Sequence, residues 1–165
     1  MKRVGILSDT HGTLPEAYLG FFVDVDEIWH AGDIGSEEVA SKLAEFKPLR
    51  AVYGNIDAVR IRQLFSEQLV FDCEGVKVFM THIGGYPGKY NSKAKGTIVR
   101  EKPGICVCGH SHILKVMFDQ RYNLLHINPG AAGASGFHTH ITMIRCTIEN
   151  GKVKDLEVYD KPKRM

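Results

Sequence analysis

Arg3-Val4-Gly5-Ile6-Leu7-Ser8-Asp9-Thr10-His11 opens the chain with a short apolar strand that breaks into polar side chains able to ligate a metal. The same grammar returns at Gly32-Asp33, at Gly54-Asn55-Ile56-Asp57, at Thr81-His82 and at Gly109-His110-Ser111-His112. Each cluster stands where a strand should end. In an α/β sheet the loops at the carboxyl ends of parallel strands converge, so residues far apart in sequence can share one pocket there. A single divalent ion needs three or four protein ligands, whereas Asp9, His11, Asp33, Asn55, His82, His110 and His112 supply hard-oxygen and imidazole donors enough for two.

Working outward, residues 3 to 8 read as a strand, and Pro15 begins a helix carrying Ala17, Tyr18, Phe21 and Phe22 at helical spacing. Glu27 to His30 reads as a second strand. Ser36 then caps a helix whose Val39, Leu43 and Phe46 recur at i, i+4 and i+7 before Pro48, and Leu49 to Tyr53 forms a third strand. This β, α, β, α, β alternation predicts a parallel sheet with crossover helices. From Leu69 strands follow strands: a hairpin turns at Glu74-Gly75, Ile105 to Cys108 is a short buried strand, a second hairpin turns at Gln120 to Asn123, and a third turns at Glu149-Asn150-Gly151. The expected fold is an α/β sandwich of two packed mixed β-sheets flanked by helices, a four-layer arrangement in one domain spanning residues 1–165. Ile83 to Pro103, with five basic residues against Glu101 alone, reads as a loop holding one helix from Asn91 to Glu101.

Composition narrows the function classes. A chain of 165 residues that is 44% hydrophobic suits one domain burying roughly 70% of its unfolded surface. A formal charge of +2 announces neither a nucleic-acid nor a membrane-surface partner. No apolar run approaches the roughly 18 residues of a membrane span, and the N-terminus lacks the length of a signal h-region, so a cytoplasmic protein is expected. Cys73, Cys106, Cys108 and Cys146 lie in strand-like stretches and read as buried reduced thiols, because Cys106-x-Cys108 has the wrong spacing for a zinc or redox pair. His30 reads as a core histidine.

The ordered set Asp9-x-His11, Gly32-Asp33, Gly54-Asn55, His82 and Gly109-His110-x-His112 resembles the calcineurin-like metallophosphoesterase superfamily over residues 4 to about 130. Within it the short length, Ile56 in place of a usual histidine, and Asn128-Pro129-Gly130 resemble small bacterial and archaeal phosphodiesterases of the YfcE type. The resemblance implies a cytoplasmic phosphodiesterase with a hydroxide bridging two divalent transition-metal ions and no side-chain nucleophile. Asp33 would bridge the ions, with Asp9, His11 and His112 completing one sphere and Asn55, His82 and His110 the other. Mn2+ is the favoured ion, with Fe2+, Zn2+ and Ni2+ also suited to such ligands.

Other residues bear on the same reading. Isoleucine at 56 cannot protonate a leaving group, which favours activated aryl or anhydride-like diesters over alkyl monoesters. Asp57 offers either support to a ligand or a plain turn. His138 and His140 can replace the missing acid if the loop from Gly130 to Gly136 folds over the ions. Asn55, Asn128 and Gly130 are candidate substrate contacts. The expected partner is a small phosphodiester, with homo-oligomerisation compatible with the sequence. Two other readings are a scaffold module of the same fold, as in eukaryotic retromer subunits that resemble these enzymes but have lost metal histidines, and a phosphomonoesterase or nucleotidase.

Overall fold

Side-chain alternation sets the two faces of each strand. In the computed structural model, which describes residues 1–164, β1 (Lys2–Leu7) sends Val4 and Ile6 to one side and Leu7 to the other. β1 lies between β11 (His140–Glu149), antiparallel, and β2 (Glu27–His30), parallel. β3 (Leu49–Ala51) extends the sheet in parallel, and β12 (Lys152–Pro162) closes its far edge as a hairpin with β11. The order is β12-β11-β1-β2-β3.

The second sheet repeats this plan. β5 (Val76–Thr81), β8 (Ile105–Val107) and β10 (Leu124–Pro129) are its parallel centre, while β4 (Gln68–Cys73) and β9 (Leu114–Asp119) pair antiparallel at the edges, giving β4-β5-β8-β10-β9. The two sheets meet through one apolar layer, with Val4, Ile6, Trp29 and Ile144 from the first facing Val78, Met80, Val107 and Ile127 from the second. Outside the first sheet lie α1 (Tyr18–Phe21), α2 (Glu37–Phe46) and α3 (Val59–Leu64), whose Tyr18, Val39, Leu43 and Ile61 pack on Leu7, Ile28 and Ala51. Outside the second, α4 (Ser92–Glu101) packs Ala94 and Ile98 on Phe79, Cys106 and Leu124. The molecule is thus the expected four-layer sandwich.

The capping chemistry follows the sequence. Ser36 accepts a hydrogen bond from Val39 N–H at 3.3 Å and starts α2. Asn91 accepts from Lys93 N–H at 3.0 Å and Ala94 N–H at 3.4 Å to start α4, the one helix expected within 83–103. Two elements were not expected. α3 has only Ile61 buried and no side-chain cap, so it carries no apolar stripe to announce it. The ribbon of β6 (Gly85–Tyr86) and β7 (Lys89–Tyr90) has two residues a side, too short for any periodicity. The third strand ends at Ala51 rather than Tyr53, and Val52 makes only an isolated bridge to Ser66. The four cysteines are free and buried, and burial pushes the Cys108 and Cys146 thiols up to about 12, so they pack as neutral side chains. Among the described residues no helix is long and apolar enough to cross a membrane.

His30 lies in the core, as read from the sequence, with Nε2 3.0 Å from Thr10 Oγ1 and Nδ1 accepting from Gly32 N–H at 3.1 Å. Burial depresses His30 to about 4, and burial with nearby Lys115 does the same for buried His126. The unfolded chain takes up these protons near pH 6.5, whereas the folded chain resists until about pH 4. The unfolded state therefore binds more protons across that window, and stability falls as pH is lowered through it. Denaturant titrations at pH 7 and pH 4.5 should show a loss on the order of 3 kcal/mol at most per histidine, and His126→Gln should flatten the pH dependence.

Candidate metal centre

The parallel strands of both sheets end on one rim, and the loops that leave them carry the clusters. Asp9 and His11 follow β1, Asp33 follows β2, Asn55 follows β3, His82 follows β5, and His110 and His112 follow β8. Six of these seven form two groups able to hold an ion, Asp9 with His11 and His112, and Asp33 with His82 and His110, the donor atoms in each group lying within 4.8 Å of one another. Asn55 stands beside the second group, its Oδ1 3.0 Å from His110 Nδ1.

Each buried carboxylate divides its oxygens between the protein and the centre. Asp9 Oδ2 accepts from Ser8 Oγ at 2.6 Å and from His110 N–H at 3.0 Å, which leaves Oδ1 3.2 Å from His112 Nε2, 3.7 Å from His11 Nε2 and 3.8 Å from His82 Nε2. Asp33 Oδ1 accepts from Ile56 N–H at 3.0 Å, while Oδ2 lies 3.3 Å from His11 Nε2 and 3.2 Å from His82 Nε2. Two glycines permit this approach. A Cβ at Gly54 would sit 2.1 Å from Asp33 Oδ1, and one at Gly109 would sit 2.1 Å from Ser8 Oγ and 2.6 Å from Asp9 Oδ2.

Three atoms at this centre, Asp9 Oδ1, His11 Nε2 and His82 Nε2, are buried without an aligned hydrogen-bond partner. Orphaned polar atoms cost about 1–3 kcal/mol each. Donor atoms about 3 to 4 Å apart are the edges of a polyhedron whose centre lies about 2.1 Å from each, the reach of a nitrogen or oxygen bond to a divalent ion. The residues therefore fit a metal. Backbone strain marks the same place, because Asp9, His11, Asp33, His110 and His112 all have φ between 47° and 73°, left-handed values that cost a non-glycine residue of order 1–3 kcal/mol.

Electrostatics agrees with the contacts. Burial acts to raise Asp9, but contact with His112, the charge of His82 and the Ser8 hydroxyl outweigh it and hold the carboxyl below its ordinary range. Asp33 is held down in the same sense, burial being overcome by His82 and the Ile56 N–H. His82 is raised, because Asp33 and Asp9 overcome the burial that would lower it. Its Nδ1 donates to Ala31 O at 2.8 Å, which turns Nε2 toward the centre.

The structure treats the auxiliary residues differently from one another. Asp57 accepts from Gly54 N–H and Gly35 N–H, both at 2.8 Å, and from Ile34 N–H at 3.1 Å, so it ties the backbone beside Asn55 to the backbone beside Asp33 and touches no ligand side chain. Asn128 makes local hydrogen bonds: its Nδ2 donates to Gly109 O and Ser111 Oγ, both at 3.1 Å, and its Oδ1 accepts from Gly130 N–H at 3.0 Å. His140 stays on the exposed strand end, 2.5 Å from Asp160.

His138 does reach the centre. Its Nε2 lies 2.8 Å from Gly133 O and its Nδ1 3.1 Å from His112 Nδ1. The carbonyl can only accept, so the partners assign the His138 proton to Nε2 and the proton between the two rings to His112 Nδ1, and His112 turns its Nε2 toward Asp9. Sequence reasoning missed Ser8, which holds Asp9, and Arg62, which donates from Nε to Asp57 O at 2.7 Å and from a terminal nitrogen to Asn55 O at 3.2 Å. Ser8 was legible as the polar neighbour of Asp9, whereas Arg62 belongs to the unannounced α3.

Comparison with known proteins gives concordant findings. A family model described as the calcineurin-like phosphoesterase superfamily domain matches residues 1–151. A phosphodiesterase of Methanocaldococcus jannaschii is 28% identical over 147 residues, covering 78% of this chain and 82% of that protein. The structure of a novel archaeal phosphodiesterase superposes with a TM-score of 0.75 at 21% identity, covering 95% of this chain and 99% of that one. A Vps29 variant from Entamoeba histolytica superposes with a TM-score of 0.75 at 18% identity, covering 96% and 99%. His138→Ala should weaken divalent-metal binding by about 10- to 100-fold, measured by calorimetric titration of the metal-free protein with Mn2+ and Zn2+.

Proposed function

This chain belongs to the calcineurin-like phosphoesterase superfamily, and from that premise we propose that it is a phosphodiesterase working with two divalent transition-metal ions. The observation that carries the reading is the pair of adjoining ligand groups with orphaned donor atoms facing one another. Asp33 is suited to serve both ions, since its Oδ2 lies within 3.3 Å of His11 from one group and His82 from the other. Asn55 would join His82 and His110. Mixed imidazole, carboxylate and amide ligation without thiolate favours Mn2+, with Fe2+, Zn2+ and Ni2+ as alternatives. When bound, such ions ionise a water near neutral pH and polarise phosphoryl oxygens.

The chain's own residues shape what remains. His82 and His112 would turn their Nε2 atoms to the ions, because Ala31 O and His138 orient the rings through Nδ1. Ser8 and the Ile56 N–H keep the carboxylates aimed inward. None of the nearby groups is a free acid for a leaving group: the Ile56 side chain carries no proton to give, His138 is engaged by Gly133 and His112, and His140 is paired with Asp160. Diesters that depart without protonation would therefore react best. A scaffold role would leave the strained ligands and orphaned atoms without a purpose, which weighs against it.

Metal analysis of the isolated protein should find up to two transition ions per chain. With Mn2+ supplied, bis(4-nitrophenyl) phosphate should be hydrolysed, alkyl phosphomonoesters poorly, and Asp33→Ala should lower the rate by on the order of 100-fold or more. Unchanged hydrolysis in that variant, or a protein that binds no transition metal, would sink the proposal.

A further inference from the structure

Beside His110 lies a cavity of about 640 Å³, in the size range of small-molecule sites. The β6–β7 ribbon forms one wall with Tyr86 and Tyr90, and the loop after His112 forms another with Ile113. Ile83, Tyr86 and Ile113 are all exposed around this one opening, a concentration of apolar surface that isolated exposed side chains do not make. Lys115 holds its ammonium 4.5 Å from the centre of the Tyr86 ring, and Lys89 stands at the same rim. Among the described residues no carboxylate lines the cavity.

The floor supplies the second observation. His126 lines the cavity, is 1% exposed, and has an Nδ1 that is buried without any hydrogen-bond partner. Its position on β10 points it to the α4 side of the sheet, next to Tyr90, with ring centres 6.4 Å apart. A neutral imidazole there offers one donor and one acceptor. Of the other polar groups in the lining, Asn128 and Ser111 bond each other, Asn91 Oδ1 caps α4, and His110 Nδ1 lies 3.0 Å from Asn55 Oδ1. The cavity thus combines aromatic walls, a cationic rim, an unpartnered imidazole in its floor and a direct opening onto His110.

We propose that this cavity is the subsite for one arm of the diester, and that the arm is a nucleobase-sized heteroaromatic ring; the proposal rests on the phosphodiesterase reading for the word diester. The ring would lie against Tyr86, its hydrogen-bonding edge would meet His126, and Lys89 and Lys115 would attract negative charge carried on the same arm. The substrate class is then a nucleotide phosphodiester. Simple aryl diesters would fill the walls without engaging the floor.

Binding can be read without turnover. In the metal-loaded protein, adenosine 5′-monophosphate titrated against ribose 5-phosphate and phenyl phosphate should bind at least about 5-fold tighter than either, shifting the amide resonances of Tyr86 and Tyr90. Tyr86→Ala should remove most of that preference, and His126→Gln, which keeps a donor and an acceptor, should retain what His126→Leu loses. Equal affinity for the nucleotide and ribose 5-phosphate would overturn the subsite. Equal affinity for the nucleotide and phenyl phosphate would overturn the nucleobase assignment. In parallel, 4-nitrophenyl esters of thymidine 5′-phosphate and of methyl phosphate share a leaving group, and only the first should show a raised KM in Tyr86→Ala. Nucleotide preference without hydrolysis of either ester would leave the subsite standing and remove the phosphodiesterase reading, so the two failures are separable.

Discussion

Two carboxylates buried between β-sheets, each with one oxygen held by the protein and the other turned toward imidazole nitrogens, set the terms for the rest of this molecule. Asp9 is held by Ser8 and the His110 N–H, and Asp33 by the Ile56 N–H. An isolated ionised carboxylate is too costly to bury, so its surroundings must supply either donors or opposite charge. Here they supply both. The donors come from loops that must approach closely, which explains why Gly54 and Gly109 stand where a side chain would collide with Asp33 or Asp9. The opposite charge comes from His82, whose pKa Asp33 and Asp9 raise, while left-handed loop residues aim His11, His110 and His112 at the same point.

Much of this was legible in the chain. The strand-then-cluster rhythm of Val4 to His11 and its repeats located the rim, because period-two apolar residues define strands and parallel strands gather their loops at one end. The residues so marked gather into two groups of three, Asp9 with His11 and His112 and Asp33 with His82 and His110, with Asn55 beside the second. Ser36 and Asn91 announced their helices by the chemistry of their side chains.

What stayed hidden had physical reasons. α3 buries one side chain and the β6–β7 ribbon spans four paired residues, so neither leaves a period to read. His138 lies beyond a glycine-rich stretch whose path depends on tertiary contacts, and only the fold reveals that it meets His112 while His140, two residues on, turns outward to Asp160. Asn128 also holds Gly109, Ser111 and Gly130 in place, a local duty that spacing alone does not announce.

The two ligand groups have one further property, which follows from where their members sit. Asp9, His11 and Asp33 leave strands of the first sheet, whereas His82, His110 and His112 leave strands of the second. Neither group is complete within one sheet. An ion held by either group would therefore be a rivet through the sandwich, adding to the apolar packing and to the cross-sheet hydrogen bonds of His82 with Ala31 and of His110 with Asp9. The reactive centre and the seam of the fold coincide, so cofactor occupancy and mechanical cohesion become a single variable, and any free energy of ion binding is also free energy that keeps the sheets in register.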